Sequence, residues 1–367
     1  MSQRWTMILK ISGIMVIGLL VLILAGSTWD YSGKPDFCVS CHTMESVTRS
    51  HSSSPHAEVT CTACHLGVGF APTMLFKKAT DASQVVKNLT GTYEKPIRIR
   101  HNVPVTESCE SCHYTQAFRR EMVKVTEKFN DDEENSRITT AMLLKVGDGR
   151  KVEGIHWHVE NTITYGVDGD GKIVSIEANK INGETGVYRL AEAGEAETFK
   201  QMDCVDCHNR VAHSIDTPSS IVDQYLLEEK LDASLPFVKK EIVTLLENTK
   251  ETDPAEWPDL FSSITEFYKD NYPELYQDKE ELISQLPGLI EEMANQIIFP
   301  QMLVTWETYE NNLGHNGCFK CHNPAFKLES SETSGDWPET INIDCEICHS
   351  LPVMAQGGNK QVIIDLQ

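Results

Sequence analysis

Apolar and polar positions follow three different patterns along the chain. Trp5 and Trp29 enclose an apolar run that is long enough, as a helix, to cross a hydrocarbon core of about 30 Å. Residues 138–190 alternate between turns as strands do, whereas residues 219–306 repeat with a helical period. The pattern therefore predicts one membrane-crossing helix, a small β-sheet insert and a helical segment.

Glycine-containing turns separate the strands of the predicted insert. Strands are predicted over residues 139–146, 155–165, 172–176 and 187–190. The run Asp168-Gly169-Asp170-Gly171 is typical of a hairpin turn, and the alternative, a calcium loop, lacks the other ligands of the twelve-residue pattern. Residues 118–134, upstream of the insert, are expected to be helical and to end in a solvated acidic run.

The helical segment has one apolar face, marked by Ile221, Tyr225, Leu226, Leu231 and Leu235. The prolines expected to interrupt it are Pro236, Pro254, Pro258, Pro273, Pro287 and Pro300. Two interpretations stay open: a scaffold that packs against cofactor faces, and an arm that binds a partner.

One motif, Cys-X-X-Cys-His, occurs six times and uses all twelve cysteines. The cysteines are Cys38, Cys41, Cys61, Cys64, Cys109, Cys112, Cys204, Cys207, Cys318, Cys321, Cys345 and Cys348. The histidines that complete the motifs are His42, His65, His113, His208, His322 and His349. This spacing is typical of covalent attachment of a c-type haem, because two thiols on one helical turn reach both vinyl groups and the histidine then lies under the iron.

Zinc sites or disulfides are the alternative use for paired cysteines. Zinc sites do not require a histidine directly after every second cysteine. Six repeats of the complete motif therefore favour six c-type haems.

The apolar run is predicted to be a retained anchor. Arg4 and Lys10 lie on its N-terminal side without an acidic residue, so the positive-inside rule places the chain beyond Trp29 outside the cytoplasm. Covalent haem attachment also belongs in an exported compartment. The alternative is a cleaved signal peptide ending near Ala25. We expect a single-pass protein of the inner (cytoplasmic) membrane with its bulk on the periplasmic side.

The formal net charge of −22 excludes a nucleic-acid-binding protein. Such a field repels anionic phospholipid and favours a soluble partner with a basic docking patch. Acidity that serves solubility alone is an equally open explanation.

The remaining histidines nearly match the number of sixth ligands that six irons require. Candidate ligands are His56, His156, His158, His213 and His315, while His51 and His101 could equally bind propionates or lie at the surface. His156 and His158 fall on a predicted strand, where positions i and i+2 face one side. His213 and His315 lie too few residues from their own motifs to reach the far side of the haem bound there. They are therefore expected to bind the haem of another motif. Met44 could supply a thioether to the first haem or serve packing alone.

The N-terminal anchor, the run Cys38-Val-Ser-Cys41-His42-Thr-Met44 and the segment from Ser54 to Gly69 resemble the NapC/NirT family of membrane-anchored periplasmic cytochromes. Gly154-Ile155-His156-Trp157-His158, the run from Met202 to Arg210 and Asn312-Leu313-Gly314-His315 are similar to the longer inner-membrane multihaem members of metal- and sulfur-respiring bacteria.

This resemblance implies that menaquinol is oxidised beside the first haem and that single electrons pass outward. It implies Met44 as an axial ligand there, and Lys78 (or Lys77) with Asp81 as the residues flanking the quinol. The partners implied are the membrane with its menaquinone pool, and a periplasmic redox partner or other subunits of a respiratory complex. Alternatives are an accessory electron-transfer subunit, a multihaem terminal reductase and a subunit of an extracellular filament.

The expected fold class is a multihaem cytochrome c, mostly α and loop, with a small β insert and a single N-terminal transmembrane helix. The expected domains are an anchor over 1–29, a three-haem domain over 30–120, a linker with the β insert over 121–200, and a C-terminal three-haem domain over 201–367 containing the helical segment.

Overall fold

A computed structural model describes residues 3–67, 77, 83, 85–99, 103–113, 121–147, 154–332 and 337–356. The chain forms two compact units, Met1–Ser108 and Cys109–Gln367. The predicted boundary at residue 120 falls outside the described residues and stays a prediction.

The first unit begins with one long helix, α1 (Gln3–Tyr31). Its segment Lys10–Tyr31 spans 22 residues with a mean hydropathy of 2.3, and none of it is buried. Short helices follow: α2 (Pro35–Val39), α3 (Glu45–Ser52) and α4 (Cys61–His65). The apolar helix is long enough to cross a membrane, as predicted from its composition.

The described part of the second unit contains eight strands: β1 (Met122–Phe129), β2 (Arg137–Leu144), β3 (Thr162–Val167), β4 (Ile173–Asn179), β5 (Thr185–Leu190), β6 (Thr198–Gln201), β7 (Phe326–Glu332) and β8 (Val353–Gln356). Its described helices are α5 (Trp157–Glu160), α6 (Cys204–Cys207), α7 (Pro218–Leu227), α8 (Val238–Asn248), α9 (Trp257–Asn271), α10 (Pro273–Asp278), α11 (Glu280–Ile297) and α12 (His315–Cys318).

The strands form two antiparallel sheets. One has the order β1-β2-β8, the other β6-β3-β4-β5-β7. The helix expected over 118–134 is wrong where the structure describes it: β1 pairs with β2 along its whole length, and 131–134 is the turn between them. Val123, Val125 and Phe129 alternate with Lys124, Thr126 and Lys128 in β1, and this period of two favours a strand despite the charge.

Strands β2, β4 and β5 confirm three of the predicted strands, and Asp168 confirms the hairpin turn. Its side chain accepts hydrogen bonds from the amides of Asp170 and Lys172. The strand predicted over 155–165 is wrong in its first half, because residues 154–156 form a turn and Trp157 begins α5. The strands β6, β7 and β8, which the sequence analysis missed, are paired by contacts distant in sequence.

The helical segment holds the largest apolar core. Helices α7, α8, α9 and α11 bury their apolar faces together, and the five face residues predicted from periodicity are all buried. Proline 287 does not break the segment as predicted, since it lies inside α11, where Ile283, Leu286 and Ile290 are buried on either side of it. Packing of this face offsets the hydrogen bond that a proline removes.

Candidate haem sites

Each described Cys-X-X-Cys-His motif folds as a turn of helix. In four motifs the histidine amide donates to the carbonyl of the first cysteine: His113 to Cys109, His208 to Cys204, His322 to Cys318 and His349 to Cys345. The second motif is α4 itself, and in the first the Cys41 amide donates to Cys38 at 3.3 Å. Positions i and i+3 therefore lie on one side of the turn, as thioether attachment to one porphyrin requires.

All twelve cysteines lie in the described part of the chain as free thiols. Among the described residues, no group of three or more His, Cys, Asp or Glu is placed to hold a metal ion. Burial raises the pKa of Cys207 to about 11. The thiols are available for thioether formation.

Within each unit, motifs that follow one another in the sequence also lie next to one another in the structure. In the first unit, Cys38 and Cys61 lie close enough to shift the pKa of each other's thiol. In the second unit, Cys204 lies close enough to Cys109 to interact electrostatically, and the same holds for Cys207 with Cys318. Cys348 in turn interacts with Cys318. The third, fourth, fifth and sixth motifs therefore form one continuous series.

His158 faces the histidine of the fifth motif. The ring centroids of His158 and His322 lie 5.7 Å apart. Two metal–nitrogen bonds of about 2 Å plus two ring radii of about 1 Å place the centroids of two imidazoles on one metal about 6 Å apart. The pair fits the two axial positions of a haem iron.

Hydrogen bonds fix both rings in the form that binds a metal. Nδ1 of His158 lies 2.8 Å from the Ile155 carbonyl oxygen, and Nδ1 of His322 lies 2.5 Å from that of Asn342. A carbonyl oxygen only accepts, so each Nδ1 carries the proton and each Nε2 keeps its lone pair. Burial lowers the pKa of His158, which keeps the ring neutral.

A second pair joins the fifth and sixth motif regions. The ring centroids of His315 and His349 lie 6.0 Å apart, and Nδ1 of His349 donates to the Ser350 carbonyl oxygen at 2.7 Å. His315 also stacks on Phe319 at 4.9 Å, which orients its ring. The expectation that His315 serves a motif other than its own fits this geometry.

His156 lies near the fourth motif. Burial lowers the pKa of His208, and the charges of His156 and His113 lower it further. His156 and His158, predicted to face one side of a strand, are separated instead by the start of α5 and approach different motifs, the fourth and the fifth. Counting histidines found both residues, but only the fold shows which motif each approaches.

The other candidate ligands lie in loops, at the start of α3 or outside the described residues. His56 and His213 are half-buried or exposed in loops, and Met44 is half-buried at the start of α3. Lys78, Asp81 and His101 lie outside the described residues. Lys77, the alternative to Lys78, lies 2.9 Å from Glu107 and also donates to the Leu66 carbonyl, next to the second motif.

A polar network that the sequence analysis missed joins the fourth and fifth motifs. Asn209 donates to the Glu310 carbonyl and accepts from the amide of Asn312. Asn312 donates back to the Asp206 carbonyl and accepts from Lys320. The Asn312 carbonyl also lies so close to Gly317 that a Cβ there would clash with it. The asparagines at 209 and 312 are the only signal of this network in the sequence, and an asparagine alone does not predict such a network.

Apolar side chains are exposed around the motifs. Examples are Val39, Val211, Leu313, Phe319, Ile343 and Leu351. Phe319 is 55% exposed inside the fifth motif, and Leu351 is 65% exposed just after the sixth. Apolar surface is driven out of water, and a porphyrin face is the apolar group that would cover it. The donor sets, the ring pairs and these surfaces all fit c-type haem.

Helical-turn motifs, paired imidazoles and an apolar N-terminal helix together define a membrane-anchored multihaem cytochrome c. Residues 1–125 match the NapC/NirT cytochrome c family, N-terminal region, and residues 294–350 match the family of cytochrome c554 and c-prime. The chain belongs to the NapC/NirT-type membrane multihaem cytochromes, whose haems are covalently bound and serve electron transfer.

The family assignment rests also on a relative similar along most of the chain. The cytochrome c-type protein ImcH of Geobacter sulfurreducens is 30% identical over 353 residues, which cover 91% of this chain and 68% of that protein. The cytochrome c nitrite reductase subunit NrfH of Nitratidesulfovibrio vulgaris is 28% identical over 99 residues, covering 26% of this chain and 62% of that protein.

A third relative, the cytochrome c-type protein NrfH of Wolinella succinogenes, is 34% identical over 103 residues, covering 26% of this chain and 58% of that protein. No solved structure matches the chain with significance.

Proposed function

We propose that this chain holds six c-type haems and carries electrons from menaquinol, or from a quinol-oxidising membrane partner, to an acceptor in the periplasm. The observation that carries the proposal is the continuity between the apolar helix and the first motif. Helix α1 ends at Tyr31, and this ring contacts Phe37 edge-to-face at 5.8 Å, one residue before Cys38. An apolar electron donor that stays in the membrane can thus come close to the first motif.

The side chains that hold the haems are assigned from their neighbours. The twelve cysteines form the thioethers, and the six motif histidines bind the irons from one side. On the other side, His158 pairs with His322, His315 pairs with His349, and His156 serves the motif of His208. His56, His213 and Met44 supply further sixth ligands, with Met44 at the first motif.

Bound haem supplies one-electron chemistry, and ligation by two histidines or by histidine and methionine keeps an iron closed to substrates. The chain's own residues orient the rings through Nδ1 hydrogen bonds to carbonyl oxygens. They also hold neighbouring motifs together through the network of Asn209 and Asn312. Lys78 and Asp81 receive the protons that a quinol releases at the interface.

An accessory subunit of a larger respiratory complex is the second candidate. One relative is itself a subunit of a nitrite reductase, so the quinol site could lie in another chain. A terminal reductase requires an open iron, and the near match between histidines and irons disfavours it.

The test is a titration of the purified full-length protein in detergent with a menaquinol analogue, followed by visible and EPR spectra. We expect direct reduction of the haems, slowed several-fold in Met44→Leu, because loss of a thioether ligand lowers the potential of the entry haem. Asp81→Asn should slow reduction by removing a proton acceptor. The matched control is Met354→Leu, which changes an exposed methionine in β8. A wild-type protein that stays oxidised would favour the accessory subunit.

A further inference from the structure

Arg210 is a half-buried cation two residues beyond His208. Its guanidinium carbon lies 4.5 Å from the centroid of the Tyr309 ring. Within the described ranges, no carboxylate lies within 4 Å of it. Arg49, Arg137 and Arg189, by contrast, each pair with a glutamate.

The carboxylates closest to Arg210 along the opposing loop are already engaged. Glu307 binds Lys250 at 2.9 Å, and Glu310 binds Lys320 at 2.8 Å. A partly buried charge without a counter-ion is costly. The polypeptide thus positions the guanidinium and leaves its counter-ion to come from elsewhere.

The space beside Arg210 suits an anion carried on a large flat group. Arg210, Ser214 and Asn311 line a cavity of about 30 Å³. A cleft of about 430 Å³ adjoins it and shares Trp306, Tyr309 and Ile215 with the cavity. Trp306 and Tyr309 give both spaces flat aromatic walls, and the cleft is also lined by Asp216, Glu307 and Glu310.

We propose that Arg210 binds a carboxylate from outside the polypeptide, namely a propionate of the haem attached at Cys204, Cys207 and His208. The inference rests on the proposed haem at this motif. A planar guanidinium forms two parallel hydrogen bonds with a carboxylate, and Tyr309 holds its other face. Arg210 is a positioning residue: it orients this haem and, as a nearby positive charge, stabilises the reduced iron and raises its potential.

The experiment is a potentiometric titration of the full-length holoprotein with Arg210→Gln and Arg210→Lys. We expect Arg210→Gln to shift one of the one-electron components to a lower potential and to leave the others in place. Arg210→Lys should restore most of the shift, since it keeps the charge but not the planar fork. The matched control is Lys240→Gln, which removes a cation that lies over the Phe237 ring at 5.3 Å, on α8 in the helical segment without a motif.

Haem counting separates this inference from the proposed function. A pyridine haemochrome count of six in wild type, falling to five in a variant with Cys204→Ala and Cys207→Ala, shows that the haem is there. A different count would overturn the haem assignment. A count of six in Arg210→Gln with unshifted potentials would overturn only the role of Arg210.

Two further outcomes are decisive. A count of five in Arg210→Gln with six in Arg210→Lys supports the pairing, whereas equal haem loss in both contradicts it, because only the lysine variant keeps the positive charge that pairs with a carboxylate. Inorganic phosphate added at constant ionic strength tests for a soluble anion instead. We expect no effect on wild type, and a phosphate-dependent shift absent from Arg210→Gln would show that Arg210 binds a free oxyanion.

Discussion

His158 illustrates at the scale of single residues how ligand chemistry is encoded. Its ring is half-buried, its Nδ1 is occupied by the Ile155 carbonyl, and its ring lies edge-to-face with that of His322. The sequence identifies His158 as a candidate because few histidines are left after the six motifs. It cannot identify the partner, because Cys321 and His322 lie more than 150 residues further along the chain.

We expect His158→Ala to convert one of six haems from low spin to high spin. Removing the ring leaves the iron bound by His322 with its sixth ligand missing. EPR should then show a high-spin signal from about one sixth of the haem. Val159→Ala, in the same short helix, is the control for local disturbance of α5 and should stay fully low spin. An unchanged low-spin spectrum in His158→Ala would show that another side chain binds this iron.

Among elements, the hairpin of β1 and β2 is tied to the helical segment by a buried polar cluster. Lys239 and Asp223 form an ion pair at 2.8 Å with side chains only 4% and 7% exposed. Asp223 also accepts from the Phe129 amide, and Lys239 donates to the Phe129 carbonyl. Asn135, in the left-handed conformation with φ 46°, donates to the carbonyls of Ala233 and Leu235. The sheet and the helices thus share one anchoring point.

Asp223→Ala should destabilise the helical segment by about 3 to 5 kcal/mol, because it leaves the Lys239 ammonium buried without a counter-ion. Urea unfolding followed by far-UV circular dichroism measures this loss in the holoprotein. The exposed pair of Glu228 and Lys230 supplies the control: Glu228→Ala should cost no more than about 1 kcal/mol. Equal losses of stability in the two variants would mean that the buried ion pair contributes no more to stability than the exposed pair.

Periodicity predicted the elements that a local sequence pattern determines. It missed the strands that form only by pairing with segments far away in the sequence. The apolar face of α7 and the strands β2, β4 and β5 follow from the sequence, since each has a clear period and its own turn signals. Strand β7 is mostly polar and β8 has only four residues, and they exist because β5 and β2 offer them edges to pair with. His156 and Trp157 are predicted to lie in a strand, but the chain turns here and begins α5. The Nδ1 of His158 donates a hydrogen bond to the Ile155 carbonyl oxygen and stabilises this turn.

For the whole molecule, the combination of one apolar helix with a strongly acidic remainder determines how the protein is attached to the membrane. The net charge of −22 repels anionic lipid, so attachment to the membrane depends on α1. Its exposed apolar side chains, from Ile14 to Leu24, match the hydrocarbon core rather than any partner surface in the described part of the first unit.

The helix should be retained in the mature protein. N-terminal sequencing of the membrane fraction should begin at or next to Met1, and washing with alkaline carbonate should leave the protein in the membrane, because extraction of an apolar helix of this length needs detergent. Lys240→Gln, a change in the helical segment, should behave identically. A mature chain that starts at Gly26, or release by carbonate, would show that the apolar run is a cleaved signal.

The sequence by itself determined the attachment motifs, the apolar helix and the supply of axial ligands. These features depend on spacings of three or four residues or on one uninterrupted run, so local geometry is sufficient to predict them. Only the tertiary structure decided that His158 faces His322, that His315 faces His349, and that no carboxylate of the described residues pairs with Arg210. Each of these depends on segments tens of residues to more than a hundred residues apart, or on which neighbours are already paired, and no local pattern carries that information.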